Sequence, residues 1–259
     1  MEGGQMTNKK NLFYYVAPYC SILLLFLGWL YISSTKPELF PTPAATWDRL
    51  ILLLEKPLAR VPLWKHVINS LRRVVIALVA ASVAGVIFGI FMGWNRTFNA
   101  TLGSLFQIIR PIPPIAWIPL ITIWFGIGEF PKVLIIFIGT FSIVVTNTYT
   151  GVAMVDPLNL AVGKIFHASK REILTEIVLP AALPAIFSGI RMAIGVGWAI
   201  VLAAEMVGAA SGVGFLIFRG NELRDMSLIF VCMFIIGIIG ALLSVGASWL
   251  ERRLCPWKN

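Results

Sequence analysis

The chain has 259 residues, of which 58% are hydrophobic and 13% charged, with a mean hydropathy of +0.87; an ordinary soluble domain is about 25% charged. Its 21 Lys and Arg, 12 Asp and Glu and 2 His cannot supply the polar surface of a water-soluble core of this size, which excludes a soluble globule and leaves lipid as the main solvent. A net charge of +9 would suit nucleic acid, but no Lys/Arg run of the usual length occurs and the basic residues lie between apolar stretches, so contact with anionic lipid at the membrane surface is expected and a nucleic-acid partner is not.

Charge-free runs at 11–35, 74–95, 133–155 and 226–250 are each long enough to cross the hydrocarbon as a helix, and 97–128 and 177–204 are interrupted only by Arg110 and Arg191. Six spanning helices are expected. The first follows Lys9 and Lys10, is too long for a signal-peptide core and has no A-x-A site after it, so it is expected to stay as an anchor. Residues 36–65 carry Pro37, Pro41, Pro43, Pro57 and Pro62, which forbid one long helix and predict a surface connector of short ones. Residues 1–65 thus form an anchor plus extracytoplasmic connector, 66–250 a transmembrane core and 251–259 a cytoplasmic tail.

The second span begins near His66 and carries Ala77, Ala81, Gly85, Gly89 and Gly93 at four-residue spacing. Small residues one turn apart let another helix backbone approach, so this stripe predicts a packed interface. The third span contains Arg110-Pro-Ile-Pro-Pro-Ile-Ala-Trp-Ile-Pro119. A straight helix cannot pass through four prolines, and the freed backbone groups need protein or a wet cavity, the setting in which broken helices line transport sites. Arg110 is expected either to line an anion path or to bond freed carbonyls, and Arg191 to serve a gate or a structural ion pair. Glu205 is expected to pair with an arginine or at the outer gate, or else to contact substrate, the pairing being favoured. Gln107, Thr146, Asn147 and Thr148 offer uncharged polar groups inside spans three and four.

Between spans four and five, Asp156 reads as an N-cap and Pro157 as the first helical residue. Leu158, Val162, Ile165 and Phe166 then share one face, and Ser169 with Glu172 forms a capping box that starts a second helix. The apolar face of this helix-turn-helix must be buried against headgroups, its own bundle or a docked soluble protein. Cys20, Cys232 and Cys255 have no paired spacing, His66 and His167 are too few for a metal, and no G-x-x-x-x-G-K-[ST] is present. No catalytic residue, metal or resident cofactor is expected, and energy must come from another subunit or from an ion gradient.

Ala161-Val-Gly-Lys-Ile-Phe-His-Ala-Ser169 with Ile177-Val-Leu-Pro-Ala-Ala-Leu-Pro184 resembles the EAA loop of bacterial ABC-importer permeases. The phrases Arg110-Pro-Ile-Pro-Pro-Ile-Ala-Trp-Ile-Pro-Leu120, Trp124-Phe-Gly-Ile-Gly-Glu129, Ala204-Glu-Met-Val-Gly208 and Ser211-Gly-Val-Gly-Phe-Leu216 resemble the sulfonate, taurine and nitrate branch of that family. The chain departs from the pattern at Ala161, usually glutamate, at Gly163, usually alanine, and at His167, usually glycine. The resemblance implies an all-α membrane protein with the type I ABC-importer permease fold: six transmembrane helices and a cytoplasmic coupling helix between the fourth and fifth. It implies a permease for a small anion such as a sulfonate, taurine or nitrate, in the bacterial inner membrane. Implied partners are an ATP-binding subunit dimer carrying ATP and Mg²⁺, a second permease copy forming a homodimer, and an extracytoplasmic solute-binding protein.

The coupling contacts implied are Ala161, Val162, Gly163, Lys164, Ile165, Phe166, His167, Ala168, Ser169, Lys170 and Arg171. The translocation path is expected to involve Gln107, Arg110, Pro113, Trp117, Asn147, Trp198 and Glu205. Placing the 156–176 loop in the cytoplasm puts both termini there, with nine Lys/Arg inside and ten outside; charge alone does not orient the chain, and this topology rests on the resemblance. A rival reading is an ion-coupled secondary transporter or channel with no ATPase partner, which predicts paired, inverted broken helices. An intramembrane enzyme would need a nucleophile–base or metal constellation, and none is visible.

Overall fold

The computed structural model describes the backbone of residues 3–254 and the side chains of 16–253. The side chains of Lys9 and Lys10, and Cys255 with the rest of the tail, lie outside the described residues. The helices are α1 (Gly3–Thr35), α2 (Pro43–Glu55), α3 (Leu63–Trp94), α4 (Arg96–Ile109), α5 (Pro114–Phe125), α6 (Glu129–Ala153), α7 (Pro157–Ile165), α8 (Lys170–Met206), α9 (Val213–Glu222) and α10 (Met226–Leu254). Five of them, α1, α3, α6, α8 and α10, are long and apolar enough to cross a membrane.

The sixth expected span is not one helix. Arms α4 and α5 meet at 86°, and each is shorter than the ~20 residues that cross the hydrocarbon. The cause is local: Pro111, Pro113 and Pro114 cannot donate backbone hydrogen bonds, and Pro114 holds the preceding Pro113 extended at ψ 135. The prolines at the entry to α8 behave differently. The helix runs on without a break, because Ile173–Val178 widens into a π turn in which the Leu179 N–H donates to the Leu174 carbonyl.

Helix α6 is the centre of the bundle, packed between α3 and α8. The small-residue stripe of α3 meets α6 in register. A methyl group built on Gly89 would lie 2.6 Å from Thr148 Cβ, and one on Gly93 would lie 2.7 Å from Val152 Cβ. On the adjoining face of α6, a methyl on Gly189 of α8 would lie 2.6 Å from Asn147 Cβ. Bare backbone therefore permits both contacts, which lipid-facing hydrophobicity could not drive. Val74, Ala77, Ile121, Ile135, Ile136, Trp198 and Val201 close the core where α3, α5, α6 and α8 meet. Helix α1 is attached more lightly: Trp29 stacks near Phe230 and Phe234 of α10, and its indole N–H donates to the Pro41 carbonyl at 2.9 Å. Arg191 finds the partner its depth demands in Glu251, at 2.8 Å.

Candidate coupling loop, groove and ion cluster

Three local devices stiffen the segment between α6 and α8. The Asp156 carboxylate accepts the Leu158 N–H at 2.8 Å, with Pro157 preset for the first turn of α7. At the other end His167 adopts the left-handed conformation, φ 54, so that its N–H reaches the Lys164 carbonyl and the Ala168 N–H the Gly163 carbonyl, each at 3.0 Å. The capping box then closes: the Ser169 N–H donates to Glu172 Oε2 at 2.6 Å and the Glu172 N–H to Ser169 Oγ at 3.3 Å.

The inner side of α7 rests on α8. Gly163 is buried, and a methyl there would come within 2.8 Å of Ile177 Cδ1, while Leu160 joins the cluster of Val155, Ile173 and Val178. The outer side has no partner among the described residues: Leu158 is 68%, Ile165 73% and Phe166 79% exposed. Val162, Ala161, Lys164, Lys170 and Arg171 are exposed around them and Ala168 is half-buried. Of the departures from the permease pattern, His167 has a conformational cost, since a left-handed L-residue is disfavoured by roughly 1–2 kcal/mol relative to glycine. His167→Gly is accordingly expected to stabilise the turn by up to about 1 kcal/mol, after the extra chain entropy of glycine is subtracted. Slower amide exchange across residues 163–172 would show this; faster exchange would mean that the imidazole itself holds the turn.

The expected path residues separate into groups. Arg110, Trp117 and Asn147 share a groove of about 330 Å³, with Ser142, Thr146 and an apolar wall of Ile109, Ile112, Pro114, Ile138, Met192 and Val196. Arg110 ends α4 at the bend, is exposed and pairs with no carboxylate among the described residues. The polar groups of α6 turn back on their own helix: Ser142 Oγ donates to the Ile138 carbonyl at 3.1 Å, Thr146 Oγ1 to Ser142 at 2.7 Å and Asn147 Nδ2 to Ile143 at 2.9 Å. Trp117 Nε1 is buried and has no acceptor among the described residues. Gln107 and Pro113 are exposed and do not line this groove. Trp198 lies in the core, its indole donating to the Ile236 carbonyl at 3.2 Å.

Glu205 stands in a buried ion cluster that joins α3, α6, α8 and α9. Arg73, 2% exposed, donates through Nη1 to Glu205 Oε1 at 2.6 Å and through Nε and Nη2 to Glu129 at 2.7 and 2.6 Å. Its Nη1 also reaches the Ser211 carbonyl at 2.9 Å. The first N–H groups of α9 are then satisfied one by one: Gly212 donates to His66 Nδ1, Val213 to Ser70 Oγ and Gly214 to Glu205 Oε2, each at 3.0 Å. Gly212 has φ 128, and a side chain there would collide with the Glu205 carboxylate. The Glu205–arginine pairing was expected; His66, Ser70, Arg73, Glu129 and Ser211 were not expected as a site. The sequence signals are that His66, Ser70 and Arg73 recur at i, i+4 and i+7 on one helix face and that Glu129 and Ser211 fall in phrases resembling the permease branch.

Apolar helices around a broken span, a groove with an unpaired cation and a stiff helix-turn-helix with an unpartnered apolar face define a polytopic transport protein. Residues 81–258 match the family described as binding-protein-dependent transport system inner membrane component, and the chain belongs to that family. It is 33% identical over 241 residues to the taurine transport system permease TauC of Escherichia coli, covering 92% of this chain and 88% of that one. It is 34% identical over 244 residues to the bicarbonate transport system permease CmpB of Synechococcus elongatus, covering 91% and 87%. The fold is that of a chain of the inward-facing MetNI methionine ABC transporter, with a TM-score of 0.66 at 16% identity, covering 80% of this chain and 98% of that one. The chain is therefore a multi-pass inner-membrane permease subunit of an ABC importer.

Proposed function

We propose that this permease imports a small anion and receives the force for doing so through α7. The observation that carries this reading is the exposed Leu158–Ile165–Phe166 face on a helix made rigid at both ends. Burying three such side chains is worth about 1.5–3 kcal/mol each, and a stiff element transmits displacement rather than absorbing it. A separate pair of ATPase subunits, holding ATP and Mg²⁺, docks on this face. Movement of α7 passes to α8 through Leu160 and Gly163. The loop and both termini are cytoplasmic, a second copy of the chain completes the pathway, and a solute-binding protein delivers cargo on the other side. The anion class is supported by the relative named for bicarbonate, by the sulfonate group of the taurine for which another is named, and by the Arg110 guanidinium in the groove, which pairs with no carboxylate among the described residues.

The test is purification of the tagged chain from its own membranes in mild detergent. A co-purifying P-loop ATPase in one-to-one ratio is the expected result. Reproducible recovery of the chain alone, with uptake dissipated by ionophores, would replace this reading by an ion-coupled transporter.

A further inference from the structure

Helix α1 is seated on the bundle through very little protein. None of its described residues joins a hydrophobic core cluster, and Leu24 and Leu25 are 69% and 75% exposed. What holds it is Trp29, whose ring lies 5.4 Å from that of Phe234 of α10 and whose indole N–H donates to the Pro41 carbonyl. An apolar cleft lies on either side of this ring pair. One, of about 320 Å³, is walled by Thr46, Trp47 and Leu50 of α2 with Val231 and Ile235 of α10. The other, of about 510 Å³, is walled by Leu25, Gly28 and Ile32 of α1 with Phe40 and Met233. Both volumes fall in the range of ligand clefts, about 300–1,000 Å³. Water suits neither cleft, because a bound water needs about two to four polar partners, and the Trp29 indole and the Thr46 hydroxyl already donate to carbonyls. At membrane depth the remaining filler is hydrocarbon. The rim of the larger cleft carries a charge. Lys36 extends α1 beyond Ile32, its N–H donating to the Ile32 carbonyl at 2.9 Å, and its own carbonyl accepts the Phe40 N–H at 3.0 Å. Ile32 and Phe40 both line the cleft. Lys36 is exposed and pairs with no carboxylate among the described residues. Lysine and tryptophan, here Lys36 and Trp47, are side chains that settle at headgroup level.

From these clefts and this rim we infer that the seam between α1 and α10 holds one diacyl glycerophospholipid, with an acyl chain in each cleft astride Trp29 and Phe234 and its phosphodiester at Lys36. The lipid then forms part of the seat of α1, filling space that would otherwise cost both walls their dispersion contacts. The inference needs only that α1 and α10 cross the membrane, and it is independent of cargo and of ATPase docking.

The experiment reconstitutes the full chain, with its co-purifying subunits, in phosphatidylethanolamine vesicles containing a trace of phosphatidylcholine that carries a diazirine halfway along one acyl chain. After illumination, labelled peptides are mapped by mass spectrometry. Label is expected to concentrate on 25–32 and 230–238, well above the face of α3 formed by Val75, Val79 and Val83, which are 54%, 59% and 59% exposed. Gly28→Trp should abolish this excess, since a side chain there meets open space and fills the larger cleft without displacing protein. Met233→Trp fills the same cleft from the other wall and should do likewise. Lys36→Gln should shorten retention of the lipid through detergent washing by about fivefold, the worth of one ion pair at ~4 Å in water. Equal labelling of the seam and of the α3 face would reduce the clefts to ordinary lipid-facing surface and overturn the inference. A seam left unlabelled beside a labelled α3 face would mean that protein, for instance a second copy of the chain, covers it, with the same consequence. An excess that persists in both tryptophan variants would overturn the placing of the acyl chains, and unchanged retention in Lys36→Gln would overturn that of the headgroup. Uptake and ATPase rates do not enter the readout, so failure here leaves the import reading standing.

Discussion

Phe166→Asp is expected to leave the chain folded in the membrane while ATP hydrolysis by the assembled importer no longer drives uptake. The side chain is 79% exposed and makes none of the bonds that cap α7 or the start of α8, so folding of the isolated chain has little to lose. Docking has much to lose. A buried phenylalanine contributes about 1.5–3 kcal/mol, and a carboxylate forced into the same apolar contact adds a desolvation cost of at least similar size. Together these weaken the seat of α7 by at least about a hundredfold at ~1.4 kcal/mol per factor of ten. Phe166→Leu, which keeps most of the apolar volume, should retain coupling. The measurement is uptake and ATPase rate in the same proteoliposomes. Wild-type uptake per ATP in Phe166→Asp would remove α7 from the force path.

The second large effect is expected at Arg73. Its guanidinium is the only cation bonded to the fully buried Glu205 carboxylate among the described residues, and removing one partner of a buried pair costs about 3–5 kcal/mol because the other charge stays behind unpaired. Arg73→Ala should therefore strip most of the folded chain from detergent extracts. Glu129→Ala breaks a pair whose acidic member is 52% exposed, and solvent screening limits that loss to about 1 kcal/mol. Glu205→Gln keeps the shape of the site and should fall between the two. Thermal midpoints of the three variants, read in one detergent, check the order. Equal midpoints for Arg73→Ala and Glu129→Ala would show that the cluster is held by packing rather than by charge.

Much of the architecture could be read before the structure because it depends on neighbours in sequence. The Asp156 and Ser169 caps, the break at Arg110 and the stripe from Ala77 to Gly93 each follow from residues within one or two turns, and each is present. The ion cluster joins Arg73 to Glu205 across 132 positions, so periodicity on α3 alone could mark His66, Ser70 and Arg73 but could not name what they meet. Arg73 flanks the charge-free run that begins at residue 74, yet it is 2% exposed. Depth in the membrane likewise says nothing about which way a residue faces. Arg110 and Asn147 reach the groove, while Trp198 of α8 closes the core instead.

The π turn at Ile173–Val178 leaves a trace in the spacing of the buried seam of α8. From Val178 onward, Ala182, Ile186, Gly189, Ala193, Gly197, Val201 and Ala204 succeed one another at intervals of three or four, as a 3.6-residue repeat requires. Between Ile173 and Val178 the interval is five. One extra residue advances the helix by about 100°, so the half of α8 that meets α7 and the half that meets α6 are out of rotational phase by more than a quarter of a turn. A helical wheel drawn once through 170–206 therefore misassigns one half or the other. The faces of α8 must be drawn on two wheels, joined at the π turn.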